Sequence, residues 1–313
     1  MEKISTITPV YNESSNVTEF YRRLKAVLNN LNYDHEIVFI NDGSKDNSLN
    51  ILLDIQKSDE KVKVIDFSRN FGKEIALTAG INTCTGDIAI PIDADLQEPP
   101  EVIPKLLEMY EQGYEVINAA RRSRKESFIK NITSKVFYKF FNSISPIAIP
   151  ENVSDFRLIS KTPLNYLKEL SESNRFNKGL FAWIGFKSCT IFYDADKRLA
   201  GNSKFNFRKL VNLAFEGITS FSITPLRLIS LAGATLIGAS LLYIIIELIK
   251  PSVVIYQPLV SIILCIGGLQ LVSLGLAGEY IGRIYMEVKK RPLYVIRKIY
   301  TGSGDDTDGK ITN

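Results

Sequence analysis

The sequence predicts an α/β domain with a mostly parallel sheet, followed by a hairpin of two long apolar helices. In the first 204 residues, short apolar runs alternate with segments of helical periodicity. The apolar runs are not interrupted by regularly spaced polar residues, as expected for strands that helices cover on both faces. Further on, residues 226–249 and 258–280 are each about as long and as apolar as a membrane-spanning helix requires.

The predicted strands and helices alternate along the chain. Turns separate them, and in Asn41-Asp42-Gly43-Ser44 the glycine permits a positive φ. The predicted strands are Ile4–Val10, Glu36–Ile40, Val62–Phe67, Ile88–Ile92 and Glu115–Ala120. The predicted helices run from N-cap candidates at 12–16 to about Leu31, from Asp46 to about Ser58, over Ile75–Thr83 and over Pro100–Gln112.

Polar residues follow four of the predicted strands. In a parallel sheet with helices on both faces, ligands bind beyond the carboxyl ends of the strands. The residues at these ends are Asn12-Glu13, Asn41-Asp42, Ser68-Arg69 and Asp93 with Asp95. Their convergence predicts a single nucleotide site. A dinucleotide fold and a P-loop are disfavoured, because no Gly-x-Gly-x-x-Gly opens the first helix and no Walker-type Gly-Lys-Ser/Thr occurs.

Asp93 and Asp95 form the most informative of these pairs. The two carboxylates stand one residue apart at the end of an apolar strand. Such a pair suits a core poorly but suits Mg²⁺ or Mn²⁺, which can in turn hold a nucleotide diphosphate. The pair therefore predicts transfer from an activated phosphate donor. A helix cap beside a solvated carboxylate is the plainer alternative.

Charge and cysteine content narrow the class of function. Lys and Arg number 38 and Asp and Glu 34, so the overall charge gives no reason to expect a nucleic-acid partner. Cys84, Cys189 and Cys265 have neither disulfide nor metal-site spacing and fit a reducing cytosol. The first residues lack the apolar core of a signal peptide. We therefore expect the domain over residues 1–204 to lie on the cytoplasmic side of a membrane.

Residues 225–283 are the predicted transmembrane hairpin of an integral protein of the inner or plasma membrane. Lys and Arg cluster outside its two ends, whereas its connecting loop carries only Lys250. The positive-inside rule then places both termini in the cytoplasm. The cytoplasmic C-terminal segment is 284–313, and its residues 302–313 have a composition typical of disorder.

The second half of the hairpin carries two further signals. Gly278-x-x-x-Gly282 has the spacing of closely packed helices, which suggests a homo-oligomer. Glu279 fits an ion pair with Arg283 better than a catalytic role.

Two other stretches have the composition of helices at a membrane interface. Phe128–Ile144 and Phe205–Phe221 each combine apolar aromatic residues with Lys or Arg. Ordinary core packing explains either stretch taken alone. Their position beside the hairpin favours the interface, so we assign residues 205–224 to an interfacial amphipathic helix.

Four motifs, in their order along the chain, resemble those of family 2 glycosyltransferases, which have the GT-A fold. They are Thr8–Glu13, Ile40–Ser44, Ser68–Glu74 and Asp93–Pro100. Within that family the chain resembles the polyprenyl-phosphate hexosyltransferases, which include dolichyl-phosphate mannose synthases, and is most similar to bactoprenol glucosyltransferases of the GtrB type. The resemblance extends over nearly the whole chain through Asp155–Leu158, Arg175-Phe176, Trp183–Phe186, Arg198–Lys204 and the hairpin.

By this resemblance, residues at the carboxyl edge bind a nucleotide sugar. The uridine pocket would be lined by Pro9, Tyr11, Glu13 and Asp42. The ligands of Mg²⁺ or Mn²⁺ would be Asp93 and Asp95, with Gln97 nearby. The donor phosphates would be contacted from a mobile loop by Arg198, Ser203 and Lys204.

The resemblance also implies a catalytic set, in which Asp155 and Arg157 lie over the donor sugar and act with Asp95 and Arg121. For Asp155, a role as base or beside the metal and a role as simple partner of Arg157 are equally open.

A cluster of arginines follows the predicted strand Glu115–Ala120. Guanidinium groups bind phosphate bidentately, so we interpret Arg121, Arg122 and Arg124 as the site of the acceptor phosphate. A solvated face, or one that contacts lipid headgroups, is the alternative. The family has Tyr-Gly-x-Arg where this chain has Asn118-Ala119-Ala120-Arg121, which keeps the arginine and changes the backbone before it.

The resemblance implies an inverting transfer of a hexose to undecaprenyl phosphate or another polyprenyl phosphate, by a homo-oligomer such as a tetramer. UDP-glucose is the expected donor, and GDP-mannose, UDP-N-acetylglucosamine or a modified pentose are the alternatives. A processive polysaccharide synthase is disfavoured because Gln-x-x-Arg-Trp is absent, Trp183 being preceded by Phe181-Ala182. A non-catalytic membrane carrier would not need acidic residues at the strand ends.

Overall fold

The structure, a computed structural model, describes residues 1–122, 153–170, 172, 177–194, 226, 229–236, 238–239, 242, 256–302 and 307–308. The strands in these residues are β1 Lys3–Val10, β2 Asp34–Asn41, β3 Val62–Phe67, β4 Ile88–Pro91, β5 Val116–Arg121, β6 Val153–Ile159, β7 Ser188–Tyr193, β8 Ile296–Tyr300 and β9 Thr307–Asp308. The helices are α1 Val17–Asn29, α2 Ser48–Ser58, α3 Lys73–Thr83, α4 Ile103–Glu111, α5 Lys161–Glu169, α6 Asn177–Trp183 and α7 Tyr256–Val288.

The described strands form one sheet in the order β7-β5-β6-β4-β1-β2-β3-β8-β9. Its centre is parallel, because β1 pairs in parallel with β2 and β4, and β2 pairs in parallel with β3. The prediction of a mostly parallel sheet is confirmed for these strands. β6 departs from it, since it runs antiparallel to both of its neighbours, β4 and β5. The amino end of β6 therefore lies at the carboxyl edge of β1, β2 and β4.

The side chains of the central strands alternate between two cores, one on each face of the sheet. In β1, Ile4 and Val10 pack into one core, and Ile7 packs into the other. The first core receives α1, α2 and α4 through Phe20, Leu24, Leu52, Leu106 and Leu107. The second receives α3, α5 and α6 through Leu77, Ala79, Leu164, Leu167 and Leu180. The sheet is thus covered on both faces, as its uninterrupted apolar strands predict.

The chain returns to the sheet after α7. β8 pairs antiparallel with β3, and Tyr294, just before β8, stacks on Phe67 with ring centroids 5.2 Å apart. β9 pairs with β8. β9 lies within the segment 302–313, for which the composition is typical of disorder, and no strand was expected at Ile296–Tyr300. Mixed charged and apolar residues look like a solvated segment in sequence, but here they complete the open edge that β3 offers.

α7 contains the second predicted apolar segment and carries many exposed apolar side chains. They include Leu259, Ile263, Leu271, Leu274, Ile281 and Val288. The expected ion pair is confirmed, with Arg283 Nη2 3.0 Å from Glu279 Oε1. Taken over the part of the chain that the structure describes, no helix meets the joint demand of length and apolar character for crossing a membrane.

The remaining membrane predictions fall largely outside the described residues. Of the predicted span 226–249, the described positions, which include 229–236, are helical. The stretches 128–144 and 205–224 lie outside the described residues.

We expect Tyr294→Ala to lower the free energy of unfolding by about 3 kcal/mol or more, as is typical for removing a buried aromatic ring. Its side chain is 1% exposed and fixes the returning chain against β3. Tyr166→Ala is the matched control, because that ring is 54% exposed, and we expect it to cost less than about 1 kcal/mol. Urea unfolding in detergent, followed by circular dichroism, measures both; equal losses would contradict the packing described for Tyr294.

Candidate functional site

The residues that the sequence analysis places at four strand ends lie at one edge of the sheet. β1 to β4 are mutually parallel, so their carboxyl ends share that edge. The reversed direction of β6 adds Asp155 and Arg157 from its amino half. These five strands and the loops that follow four of them form the centre of the candidate site.

Lys73, the first residue of α3, joins two carboxylates of the site. Its Nζ lies 2.6 Å from Asp155 Oδ2 and 2.7 Å from Asp93 Oδ2. Partial burial alone would lower the pKa of Lys73, but the carboxylates of Asp155 and Asp93 outweigh it and raise that pKa well above its ordinary value. Burial and the charge of Asp155 raise the pKa of Asp93, against the opposing effect of Lys73. One ammonium is thus shared by two carboxylates.

Glu98 is a buried neighbour of Asp93. The backbone N–H of Asp93 donates to Glu98 Oε2 at 3.1 Å, and Glu98 is 1% exposed. Burial raises the pKa of Glu98 to about 8, and the neighbouring Asp93 carboxylate adds to the rise. Near neutral pH this carboxyl therefore carries a proton in most molecules, which reduces the crowding of negative charge at the edge.

The turn after β4 shapes the other half of the site. Asp95 Oδ1 accepts a hydrogen bond from the N–H of Gln97 at 3.0 Å, and Leu96 between them has φ of +61°. A left-handed Leu is rare and costs of order 1–3 kcal/mol. It persists because its side chain is buried in the core, at 1% exposed. The strained turn holds Asp95 and Gln97 on the same side of the sheet edge.

Arg121, the last residue of β5, reaches this turn. Its Nη2 donates to Gln97 Oε1 at 3.2 Å, and its Nε donates to Tyr193 Oη at 3.4 Å. The predicted catalytic arginine and the predicted metal-side glutamine are thus in direct contact. Arg122 points to a different partner, the exposed Asp194, at 3.5 Å.

Asp42 ties two loops of the site together. Its carboxylate accepts the N–H groups of Phe71 at 2.7 Å and of Gly72 at 3.0 Å. Burial raises the pKa of Asp42 even though these two hydrogen bonds oppose the rise. Asp42 is only 3% exposed, and in this structure its side chain holds the loop before α3 against the end of β2. Its contact with a uridine stays a prediction.

Gly43, the next residue, is required by the same contact between loops. It has φ of +64°, and a Cβ built there would lie 2.5 Å from Arg69 C and 2.5 Å from Asn70 N. Only glycine permits both the backbone conformation and this close approach.

The residues predicted for the uridine pocket surround the end of β1. Tyr11 is 37% exposed, whereas Pro9 is half-buried in its pairing with Ile40. The Glu13 N–H donates to Ser48 Oγ at 2.9 Å, and Glu13 Oε2 accepts a hydrogen bond from Asn16 Nδ2 at 2.6 Å. The exposed ring of Tyr11 is the part of this group most open to a ligand.

Arg157 is buried beneath the site. It is 3% exposed, lies over the Phe181 ring at 4.0 Å, and donates to the backbone carbonyls of Ser154 at 2.8 Å and Asp155 at 3.2 Å. Burial lowers its pKa to about 10 in spite of the nearby acids, of which Asp155 contributes most. This position fits a scaffold for the start of β6, while the Asp155 carboxylate reaches Lys73. Of the remaining predicted site residues, Arg124, Arg198, Ser203 and Lys204 lie outside the described residues.

The donor set suits a divalent cation that keeps most of its water. Within the described residues, no group of three or more His, Cys, Asp or Glu side chains has metal-binding geometry. Mg²⁺ is commonly held by one or two carboxylates together with substrate phosphates. Asp93 and Asp95 match that pattern, and the nearby carboxylates of Asp155 and Asp95, which raise the pKa of Asp93, would be stabilised by a cation.

Sequence reasoning missed Lys73, Glu98 and Tyr193 as members of the site. Lys73 left a readable signal, because a cation at a helix N-terminus is disfavoured by the helix dipole and needs acidic partners to offset the cost. Glu98 lies inside the quoted Asp93–Pro100 motif, but nothing in its neighbours predicts burial. Tyr193 reaches the site only through the pairing of β7 with β5.

Known proteins of similar sequence match nearly the whole chain. Residues 5–167 match the family described as Glycosyl transferase family 2, and residues 224–284 match the GtrB C-terminal hairpin. The bactoprenol glucosyl transferase of Shigella phage SfII is 45% identical over 307 residues, which cover 96% of this chain and 99% of the relative. The prophage bactoprenol glucosyl transferase homolog of Escherichia coli K12 is 44% identical over 303 residues, covering 95% and 99%.

Among solved structures, glucosyl-3-phosphoglycerate synthase from Mycobacterium tuberculosis in complex with Mn²⁺, UDP and glucosyl-3-phosphoglycerate has a TM-score of 0.48 at 15% identity. The match covers 70% of this chain and 78% of that chain. A likeness this weak carries no argument about activity.

We expect Gly43→Ala to destabilise the protein by about 2–5 kcal/mol, the sum of a left-handed alanine and a steric overlap with the loop at Arg69. Gly113→Ala is the matched control: Gly113 also has positive φ, +85°, but its nearest contact is Lys187 Nζ at 3.9 Å. We expect the control to show only the backbone part, about 1–2 kcal/mol. Chemical unfolding measures the difference, and equal losses would mean that the loop contact is unimportant.

Glu98 predicts a pH dependence of stability. Because its pKa is raised to about 8 on folding, the folded chain binds the proton more tightly, and the free energy of unfolding falls as pH rises from 4.5 to 8. Glu98→Gln removes this component, so the variant should gain stability relative to wild type between about pH 5 and about pH 9. Unfolding in chelator at several pH values measures it, with the exposed Glu108→Gln as control; parallel curves for wild type and Glu98→Gln would refute the assignment.

Proposed function

Because this chain belongs to glycosyl transferase family 2 and its C-terminal region matches the GtrB hairpin, we propose that it transfers glucose from UDP-glucose to a polyprenyl phosphate of the bactoprenol type. The observation that carries the proposal is the extent of the likeness to bactoprenol glucosyl transferases, which includes the α/β domain and the hairpin alike. The α/β domain would bind the sugar donor, and the hairpin would bring the domain to a lipid acceptor.

The reaction is an inverting displacement. A phosphate oxygen of the acceptor attacks the anomeric carbon of the sugar, and the bond to UDP breaks on the opposite face. An α-linked donor thus gives a β-linked lipid product. The acceptor phosphate is already an anion at neutral pH, so a strong general base is not required. The protein mainly has to hold two phosphate groups that repel each other in line with the reacting carbon.

The described residues divide this task between two sides of the edge. Asp93 and Asp95 would hold a divalent cation, which when bound neutralises the charge that grows on the leaving diphosphate. Arg121 lies on the other side of the turn at Gln97 and can bind the acceptor phosphate. Asp155 is joined to Asp93 through Lys73, which supports a place beside the donor sugar and the metal.

The hairpin completes the proposal. Residues 226–249 and 258–280 would cross the inner or plasma membrane, with both termini and the catalytic domain in the cytoplasm, so that the lipid phosphate meets the domain at the membrane surface. The exposed apolar side chains of α7 support this placement. A Cβ built at Gly278 or Gly282 would meet no atom of another described element within 4 Å, so the space beside these glycines suits close packing of another helix in a homo-oligomer.

The test is sugar transfer by purified protein in liposomes with undecaprenyl phosphate, Mg²⁺ or Mn²⁺, and a panel of labelled UDP- and GDP-sugars. We expect metal-dependent transfer from UDP-glucose and a loss of at least about a hundredfold in Asp95→Asn, because the leaving group would lose its main charge stabilisation. Asp54→Asn is the control, since that exposed carboxylate pairs with Lys57 on α2, away from the edge.

Three outcomes are informative. Transfer only from GDP-mannose, UDP-N-acetylglucosamine or a modified pentose would replace the sugar and keep the reaction. Full activity of Asp95→Asn would remove the metal from the proposal. Absence of transfer from every donor, with lipid and metal present, would overturn it in favour of a non-catalytic membrane protein.

A further inference from the structure

Lys73 contacts Asp93, one of the two predicted metal ligands, and supplies a positive charge beside it. Its Nζ is 2.7 Å from Asp93 Oδ2 and 2.6 Å from Asp155 Oδ2, so the ammonium bridges carboxylates of β4 and β6. Neither Asp93 nor Asp155 is fully exposed, with 27% and 7% of their side-chain surfaces open to solvent. Removing the ammonium would take this shared partner away from two partly buried carboxylates.

The position of Lys73 makes a purely local explanation unsatisfactory. It is the first residue of α3, where the helix dipole disfavours a positive charge. A lysine there is stabilised only through its acidic partners, which come from elements distant in sequence. The carboxylates of the site therefore offset the unfavourable position of the Lys73 charge, and this stabilisation is lost if their charge is neutralised.

A divalent cation on Asp93 would compete with this ammonium. Two cations held by one carboxylate repel each other, at roughly 4 kcal/mol or more for unit charges about 4 Å apart in a partly solvated site. Lys73 can yield, because its side chain is 42% exposed and carries its charge on a flexible stem of four carbons. The main chain that carries the two carboxylates is held more firmly, since the backbone N–H of Asp93 donates to Glu98 Oε2 and Asp155 lies in β6.

We propose that Lys73 is a built-in counter-ion that occupies the Asp93–Asp155 pair while the metal is absent and is displaced from Asp93 when the metal binds. This inference rests on the proposed function only in taking the metal to be divalent and bound through Asp93. In the metal-free chain Lys73 keeps the carboxylates in place, and in exchange it weakens the affinity of the site for metal. Lys73 is therefore a positioning residue that sets metal affinity.

The first test is Mn²⁺ binding by the full-length protein without nucleotide, with free Mn²⁺ measured by electron paramagnetic resonance. We expect Lys73→Met to bind Mn²⁺ about tenfold more tightly than wild type, because the competing charge is gone, whereas Lys73→Arg keeps the charge and stays near wild type. Lys161→Met is the matched control: it removes an exposed Lys–Asp pair, with Asp87 at 2.8 Å, and should leave the affinity unchanged. Unchanged or weaker binding by Lys73→Met would overturn the proposal.

The second test needs no variant, so it stands even if Lys73→Met fails to fold. Wild-type protein is acetylated briefly with and without Mn²⁺, and the modification of each lysine is measured by mass spectrometry. We expect Lys73 to react severalfold faster with Mn²⁺ present, because displacement from Asp93 removes one of its two ion pairs and opens the amino group to the reagent, while Lys161 serves as internal reference. A rate at Lys73 that Mn²⁺ leaves unchanged or lowers would refute displacement.

These measurements separate the two proposals. A protein that transfers no sugar but shows tighter Mn²⁺ binding in Lys73→Met keeps the counter-ion and loses the reaction. A protein that transfers glucose with metal but shows no effect of Lys73 on Mn²⁺ keeps the reaction and loses the counter-ion.

Discussion

The reversed direction of β6 is the constraint on which the site depends. In a fully parallel sheet Asp155 would lie near the amino ends of its neighbours, far from the acids that follow β1, β2 and β4. Because β6 runs antiparallel between β4 and β5, its amino half lies at the carboxyl edge instead. There the Asp155 carboxylate meets Lys73 and, through it, Asp93. The direction of β6 therefore determines which charged side chains lie close together at this edge.

The charged side chains of the site contribute little to the stability of the fold but are suited to binding and catalysis. Buried ion pairs return little net free energy, since desolvation costs about as much as the attraction provides. The chain offsets part of the cost by letting Glu98 keep its proton near neutral pH and by sharing one ammonium between two carboxylates. The carboxylates of Asp93 and Asp95 then lie on one side of the turn at Gln97, and Arg121 contacts that turn from the other side. Under the proposed function, the carboxylates would hold a divalent cation and Arg121 would bind a phosphate.

Much of this could be predicted from the sequence, for reasons that differ between residues. The strands from β1 to β5 follow from apolar runs, and the shared edge follows from their parallel order. The burial of Arg157 and the contact of Arg121 with Tyr193 could not be predicted, because both depend on pairings between strands distant in sequence. Lys73 was within reach, since a lysine at the start of a helix is electrostatically unfavourable without acidic partners.

The return of the chain after α7 links the hairpin region to the same edge. Arg297, in β8, donates to the Ser68 carbonyl at 3.0 Å and lies 3.6 Å from the buried Asp66. Asp66 in turn accepts a hydrogen bond from Asn41 at the end of β2. The loop that begins at Ser68 continues to Lys73, so the residues after α7 support the loop that delivers the counter-ion. The residues that follow α7 therefore contact the sheet at the end of β3, beside the candidate site.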